Sequence, residues 1–199
     1  MRIVAFSDVH GDQSIIETIK QKAKECELIL CCGDITPPHG MTIQSAKAIG
    51  RFDVQVLAIP GNFEMPDEME RVCTEMGWTN IHVKSIRVND LLFFGCGGGN
   101  VGPFGTPYEL SEEDFRVMLN KFSSKDRFVF LSHCPPKGSV DRTKSGLHVG
   151  SEAIAEFVRN TQPVYQFCGH IHEESGKESA IGKTRIYNVA RQVKVFDIE

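Results

Sequence analysis

The residues best suited to chemistry in this 199-residue chain are carboxylate, amide and imidazole side chains that follow short apolar runs. Ser7-Asp8-Val9-His10 comes after Phe6, Gly33-Asp34 after Cys32, and Pro60-Gly61-Asn62 after Ile59. Ser132-His133 follows Leu131, and Gly169-His170-Ile171-His172 follows Cys168. Together they offer two Asp, one Asn and four His, all oxygen or nitrogen donors, which suit divalent ions of Mn, Fe, Zn, Ni or Co. Seven residues fill eight coordination positions if one carboxylate bridges two ions. Taken singly, each piece has a plainer reading: Asp8-x-His10 is commonly a turn or helix cap, and Gly33-Asp34 an ordinary turn. Their occurrence together, in order, behind five apolar runs is what points to a metal centre.

Positioning them falls to those runs, residues 3–6, 28–32, 54–59, 128–131 and 164–168, with a further run at 91–94. They are rich in β-branched and aromatic residues and end in Gly, Pro, Asp or His, as strands do. Over residues 14–26, Ile15, Ile16, Ile19 and Ala23 recur at helical spacing behind Ser14 as a cap, with Glu17 three residues on. Residues 65–76, 111–121 and 151–159 read as further helices, and Ser111-Glu112-Glu113-Asp114 places a cap and acidic charge at a helix start. Alternating strands and helices predict an α/β fold whose sheet is covered on its faces. Segments 184–189 and 193–198 read as two adjacent strands joined by Ala190-Arg191-Gln192, which predicts a terminal antiparallel hairpin and a mixed sheet. The loops at the carboxyl ends of parallel strands open onto one edge, so the five segments are expected to meet there. Glycine before Asp34, Asn62 and His170 suits backbone packed close against a ligand, and the Gly- and Pro-rich stretch 95–107 reads as a site loop.

The length suits one domain over residues 1–199. A 41% hydrophobic and 24% charged composition can bury a sizeable core. A net charge of −4 without a basic block argues against nucleic acid or anionic lipid as partner, so partners must be argued from the site. Residues 3–6 are too few for a signal-peptide core or a membrane span, and seven cysteines without CxxC spacing suit a reducing compartment, so a cytoplasmic location is expected.

The ordered pattern D-x-H, G-D, G-N, a lone H and G-H-x-H resembles the calcineurin-like metallophosphoesterase family, from Asp8 to His172, with small prokaryotic-type phosphoesterases the nearest likeness. The resemblance implies a four-layer sandwich of two mixed β-sheets flanked by helices. It implies two divalent ions, one held by Asp8, His10, Asp34 and His172, the other by Asp34, Asn62, His133 and His170, with Asp34 as the bridge. It also implies dinuclear hydrolysis of phosphate esters, diesters above all, by a hydroxide shared between the ions. Asp34 and Asn62 would then serve catalysis directly. One departure stands out: the family reads G-N-H-[DE] where this chain has Gly61-Asn62-Phe63-Glu64, so the histidine used near the leaving group is missing. A non-catalytic metal-binding scaffold of the same fold is the alternative, with Phe63 a first step toward it.

Other histidines compete for the vacant role. His148, in Gly146-Leu147-His148-Val149-Gly150-Ser151, leads into a helix whose N-terminal amides are expected to face phosphate, which makes it the candidate at the substrate. His39 reads as a solvated loop residue, His82 as a structural residue far from the motifs, and Asn100 as a residue of the substrate entrance.

Overall fold

The structure, a computed structural model, describes residues 1–198. The strands in chain order are β1 (Arg2–Phe6), β2 (Leu28–Cys31), β3 (Gln55–Ala58), β4 (Thr79–Asn80), β5 (Ser85–Val88), β6 (Leu91–Cys96) and β7 (Gly99–Asn100). Then follow β8 (Glu109–Leu110), β9 (Phe128–Ser132), β10 (Tyr165–Cys168), β11 (Glu178–Ile181), β12 (Thr184–Asn188) and β13 (Val193–Asp197). The α-helices are α1 (Gln13–Lys22), α2 (Thr42–Ile49), α3 (Pro66–Met76), α4 (Glu112–Leu119) and α5 (Glu152–Thr161). One sheet runs β13-β1-β2-β3-β4, a second β11-β12-β10-β9-β6-β5, and β7 pairs with β8. Both large sheets are mixed: β1, β2 and β3 are parallel, as are β6, β9, β10 and β12, while β13, β11 and β5 run antiparallel to their neighbours.

Alternation along each central strand builds the four layers. In β1, Ile3 and Ala5 join Leu28, Leu30 and Leu57 between the sheets, where they meet Phe93, Val129, Leu131 and Phe167. Their neighbours Val4, Phe6, Ile29, Cys31 and Val56 face the helices instead, packing on Ile16, Ile19, Ala46, Met69 and Val72. On the far side Phe94, Phe128 and Phe130 pack on Phe115, Leu119, Ile154 and Val158 of α4 and α5. Side chains alternate with a period of two, and a strand covered on both faces reads as an unbroken apolar run. The six strands expected from such runs are therefore present.

Three expectations need correction. The cap of α1 is Asp12, not Ser14: its Oδ1 accepts from the amides of Ser14 and Ile15, and the helix ends at Lys22 before a short 3-10 turn. Helix α2 has no counterpart in the sequence pattern. The terminal hairpin does not form, because β12 pairs with β10 and β11 in one sheet whereas β13 pairs with β1 in the other. The link 190–192 crosses between sheets, and Arg191 adopts φ 56° with its amide bonded to Ser7 O. Antiparallel pairing near the chain end holds, with different partners.

Candidate metal centre

The carboxyl ends of β1, β2, β3, β9 and β10 lead directly to Asp8, Asp34, Asn62, His133 and His170. The loops are knitted by backbone bonds, Asp8 N to Gly33 O at 3.0 Å and His10 N to Asp34 O at 3.1 Å. Asp8, His10, Asp34 and His170 all sit at positive φ, between 45° and 67°. Non-glycine residues populate that region sparingly, and where they do the strain tends to serve a site. The glycines make the close approach possible: a Cβ on Gly61 would lie 1.9 Å from Asp34 Oδ1, and one on Gly169 2.2 Å from Asp8 Oδ2.

The seven side chains converge in two groups. Asp8 Oδ1 lies 2.9 Å from His172 Nε2 and 3.9 Å from His10 Nε2. Asn62 Oδ1 lies 2.8 Å from both His133 Nε2 and His170 Nδ1. Between them stands Asp34, whose Oδ2 is 3.7 Å from His10 Nε2 and 3.4 Å from His133 Nε2. Donor atoms of Asp8, His10 and His172, and separately of Asp8, Asp34 and His133, lie close enough together to share an ion.

The hydrogen-bond pattern shows what fits there. His10 Nδ1 donates to Thr36 O at 2.9 Å and His133 Nδ1 to Cys32 O at 2.8 Å, which turns each Nε2 lone pair toward the carboxylates. Anchoring one ring nitrogen on a carbonyl is the usual way a ligating histidine is oriented. Around His133 Nε2 the neighbours are acceptors, Asn62 Oδ1 and Asp34 Oδ2, so only a proton or a cation can sit between them. Burial, the largest single influence, pushes His133 down, but the charges of Asp34 and Asp8 and the hydrogen bond to Asp34 together raise it to about 10. Burial pushes Asp8 up, and its hydrogen bond to His172 with the charge of His133 outweighs that and holds it well below the carboxylate range. Burial and then the His133 charge lower His170 to about 4. The donor set therefore attracts positive charge and fits divalent metal.

Glu64, unassigned by the sequence pattern, turns inward. Completely buried, its carboxylate accepts from Gly61 N at 2.8 Å, Asp34 N at 2.9 Å and Thr36 N at 2.9 Å, stapling the β2 loop to the β3 loop. Burial and the nearby Asp34 charge raise it to about 7. Phe63 donates its amide to Asp34 Oδ1 at 3.0 Å, and its ring meets His10 edge-on at 5.1 Å.

The remaining expectations divide. His148 is not among the converging side chains: Nδ1 bonds the buried Asp141 carboxylate, and Nε2 faces Arg142 Nη2 at 3.2 Å. Its hairpin is tied to the site loops by Asn100 Nδ2 on Val149 O at 2.8 Å. The amides at the start of α5 do not face an open site, because Glu112 of α4 occupies them, accepting from Ser151 Oγ and the amides of Glu152 and Ala153. A carboxylate already fills the place expected for phosphate. His39 is exposed. His82 is half-buried and not remote: Gly97 N donates to its Nδ1 at 3.0 Å, holding the glycine loop that carries Gly99 onto Asn62 and His170. Burial lowers it to about 4, so it serves as a neutral acceptor. Asn100 braces the loops around the site through Val149 O.

Sequence reasoning misses Arg191 and Asn188. Arg191 donates to Val9 O at 3.2 Å and Asp12 Oδ2 at 2.6 Å, bracing the Asp8 loop, and Asn188 Nδ2 donates to Ile171 O at 3.0 Å beside His170 and His172. Both act through long-range backbone contacts that no local pattern announces.

Residues 1–174 match the family model described as calcineurin-like phosphoesterase. An uncharacterised protein of Methanocaldococcus jannaschii is 29% identical over 94% of this chain and 87% of its own length. The fold is shared with the protein TT1561 of Thermus thermophilus (TM-score 0.74, 17% identity, 98% of each chain). It is shared too with a phosphopantetheinyl hydrolase of Mycobacterium tuberculosis (TM-score 0.61, 15% identity, 94% of this chain and 88% of that one). Among the described residues no helix is long and apolar enough to cross a membrane. With the ordered motifs, the two mixed sheets and the match over most of its length, this chain belongs to the calcineurin-like phosphoesterases.

Proposed function

We propose that the chain hydrolyses phosphate esters, diesters in preference, with two divalent transition-metal ions, manganese among the candidates. Asp8, His10, Asp34 and His172 would hold one, and Asp34, Asn62, His133 and His170 the other. The observation that carries this reading is the place of Asp34 Oδ2, 3.7 Å from a histidine of one group and 3.4 Å from a histidine of the other. When bound, such a pair neutralises phosphoryl charge and lowers the pKa of a shared water.

The protein's own part is orientation. Glu64 fixes the Asp34 backbone, Thr36 O and Cys32 O fix the imidazole tautomers of His10 and His133, and Asn62, its Oδ1 between His133 and His170, would serve the phosphoryl group beside them. No imidazole stands where the family's proton donor belongs, since Phe63 fills that position. For His148, expected at the substrate, Nδ1 bonds Asp141 and Nε2 accepts from Arg142 Nη2, so its ring has no N–H left for a leaving oxygen and we assign it no proton delivery. A small phosphate ester is the expected substrate.

Chelated protein should not hydrolyse bis-p-nitrophenyl phosphate, and added Mn, Ni, Zn, Fe or Co should restore turnover. Equal rates in chelator would end the two-ion reading, and silence with every ion over a broad ester panel would favour the scaffold alternative.

A further inference from the structure

Among the described residues seven large apolar side chains are exposed, and five of them, Met41, Met65, Val101, Phe104 and Leu147, stand on loops that follow β2, β3, β7 and β9. Only Val117 and Val195 lie elsewhere. Single exposed apolar residues need no explanation, but their concentration around a site does.

Two of these loops are built to hold such residues in the open. Loop 101–108 is closed by Val101 N on Leu110 O and Gly99 N on Tyr108 O. The Glu109 carboxylate accepts from Thr106 N at 2.8 Å and Gly102 N at 3.2 Å. Polar bonds shape the loop while Phe104, at 87% exposure, stands in the open. The loop starts and ends on the metal centre: Tyr108 N donates to Asn62 O at 3.0 Å, and a Cβ on Gly99 would lie 3.0 Å from Asn62 and from His170. Beside it rises the hairpin 141–149, closed by Thr143 N on Leu147 O at 2.9 Å and joined at its base by the Asn100 to Val149 bond. It presents Leu147 at 65% exposure with Arg142 and Lys144 nearby in sequence. At the inner end Phe63 replaces an imidazole with an apolar ring against His10.

We propose that Val101, Phe104 and Leu147 take the organic group of the substrate, and that this group is an extended apolar chain. This rests on the phosphoesterase reading: the phosphoryl group lies at the Asp34 centre and the alkyl chain runs out across the two loops. Full burial of one methylene tightens binding roughly fourfold, so even shallow contact along an octyl chain gives roughly tenfold tighter binding than a methyl group.

The test is calorimetric binding of methyl-, butyl- and octylphosphonate, which cannot be hydrolysed, to manganese-loaded protein, alongside turnover of methyl p-nitrophenyl phosphate. Octylphosphonate should bind roughly tenfold tighter than methylphosphonate or better, and in Phe104→Ser/Leu147→Ser that ratio should fall to about twofold or less. Both substitutions are at exposed positions, and an unchanged Tm verifies the fold. Equal affinities in the native protein would overturn the proposal while turnover of the aryl ester left the phosphoesterase reading standing. A tenfold ratio that survives the double substitution would also overturn it, since the chain would then bind elsewhere. Failure of every phosphonate to bind, with no turnover, would remove both.

Discussion

The two halves of the candidate metal centre differ in how firmly the fold holds them. His133 and Asn62 are buried and His170 is half-buried, with His133 anchored on Cys32 O and both histidines 2.8 Å from Asn62 Oδ1. Across Asp34 the side chain of His10 is 15% exposed and that of His172 45% exposed, on a 3-10 turn at the surface. The inner half is preorganised by core packing, whereas the outer half faces solvent. An ion in the inner position should exchange slowly, and substrate should approach over the outer one beside Phe63.

Asp34 is the residue both halves share, so its loss should be the largest effect. Asp34→Asn should remove most bound metal by elemental analysis and, since each ion supplies several kcal/mol of charge stabilisation, lower kcat/KM by about 10³-fold or more with the fold intact by circular dichroism. Retention of two ions per chain would show that Asp34 is not the bridge.

The outer half can be sharpened at Phe63. Without a proton from that side, turnover should depend steeply on leaving-group acidity, and Phe63→His should speed poor leaving groups within the roughly 10² to 10⁴ range of a positioned acid. Good leaving groups should gain little. Plots of log kcat/KM against leaving-group pKa for both forms decide this: a shallower slope is expected in the variant, and parallel slopes would assign proton delivery to another group.

Glu64 ties both halves to the backbone. Glu64→Gln sets an amide N–H against one of the three donors of Gly61, Asp34 and Thr36, and metal affinity should fall about 10- to 100-fold, as for other groups that orient ligands. Competition with a fluorescent chelator measures it, and Glu64→Asp should recover only part of the loss because its chain is one methylene short.

The smallest effect concerns protons at the inner half. His133 rises from 6.5 to about 10 in the folded chain, so the stability it lends the chelated protein is complete below about pH 6.5 and drains away as pH rises toward 10. The Tm of chelated protein should therefore fall between about pH 7 and pH 9. A divalent ion takes the place of that proton, so manganese should raise Tm more at about pH 9 than at about pH 7. A flat profile in chelator would mean that His133 carries no proton there.

Much of this arrangement is legible in the chain, for physical reasons that differ by region. The central strands show as apolar runs because both faces are covered, and the seven side chains show because each follows such a run at a sheet edge. Their supports do not show. Glu64 reads as a structural residue left without a role until its three amide partners are brought around it, and Glu112 reads as a helix-start charge although it also caps a second helix 40 residues on. The terminal strands read as a hairpin because a three-residue link is what a hairpin needs, while the separation of β12 and β13 depends on pairing with β10 and β1, distant in sequence. Helix α2 is as short as α4 but lacks the capping side chain and first-turn acids that announce α4, since Met41 stands at its start.

Anomalous scattering from a manganese-soaked crystal, collected at the metal's absorption edge, tests the central claim most directly. Two peaks are expected, roughly 3.5 to 4 Å apart, both in contact with Asp34, one also touching Asp8, His10 and His172 and the other Asn62, His133 and His170. A single peak, or two peaks that do not share Asp34, would contradict the account.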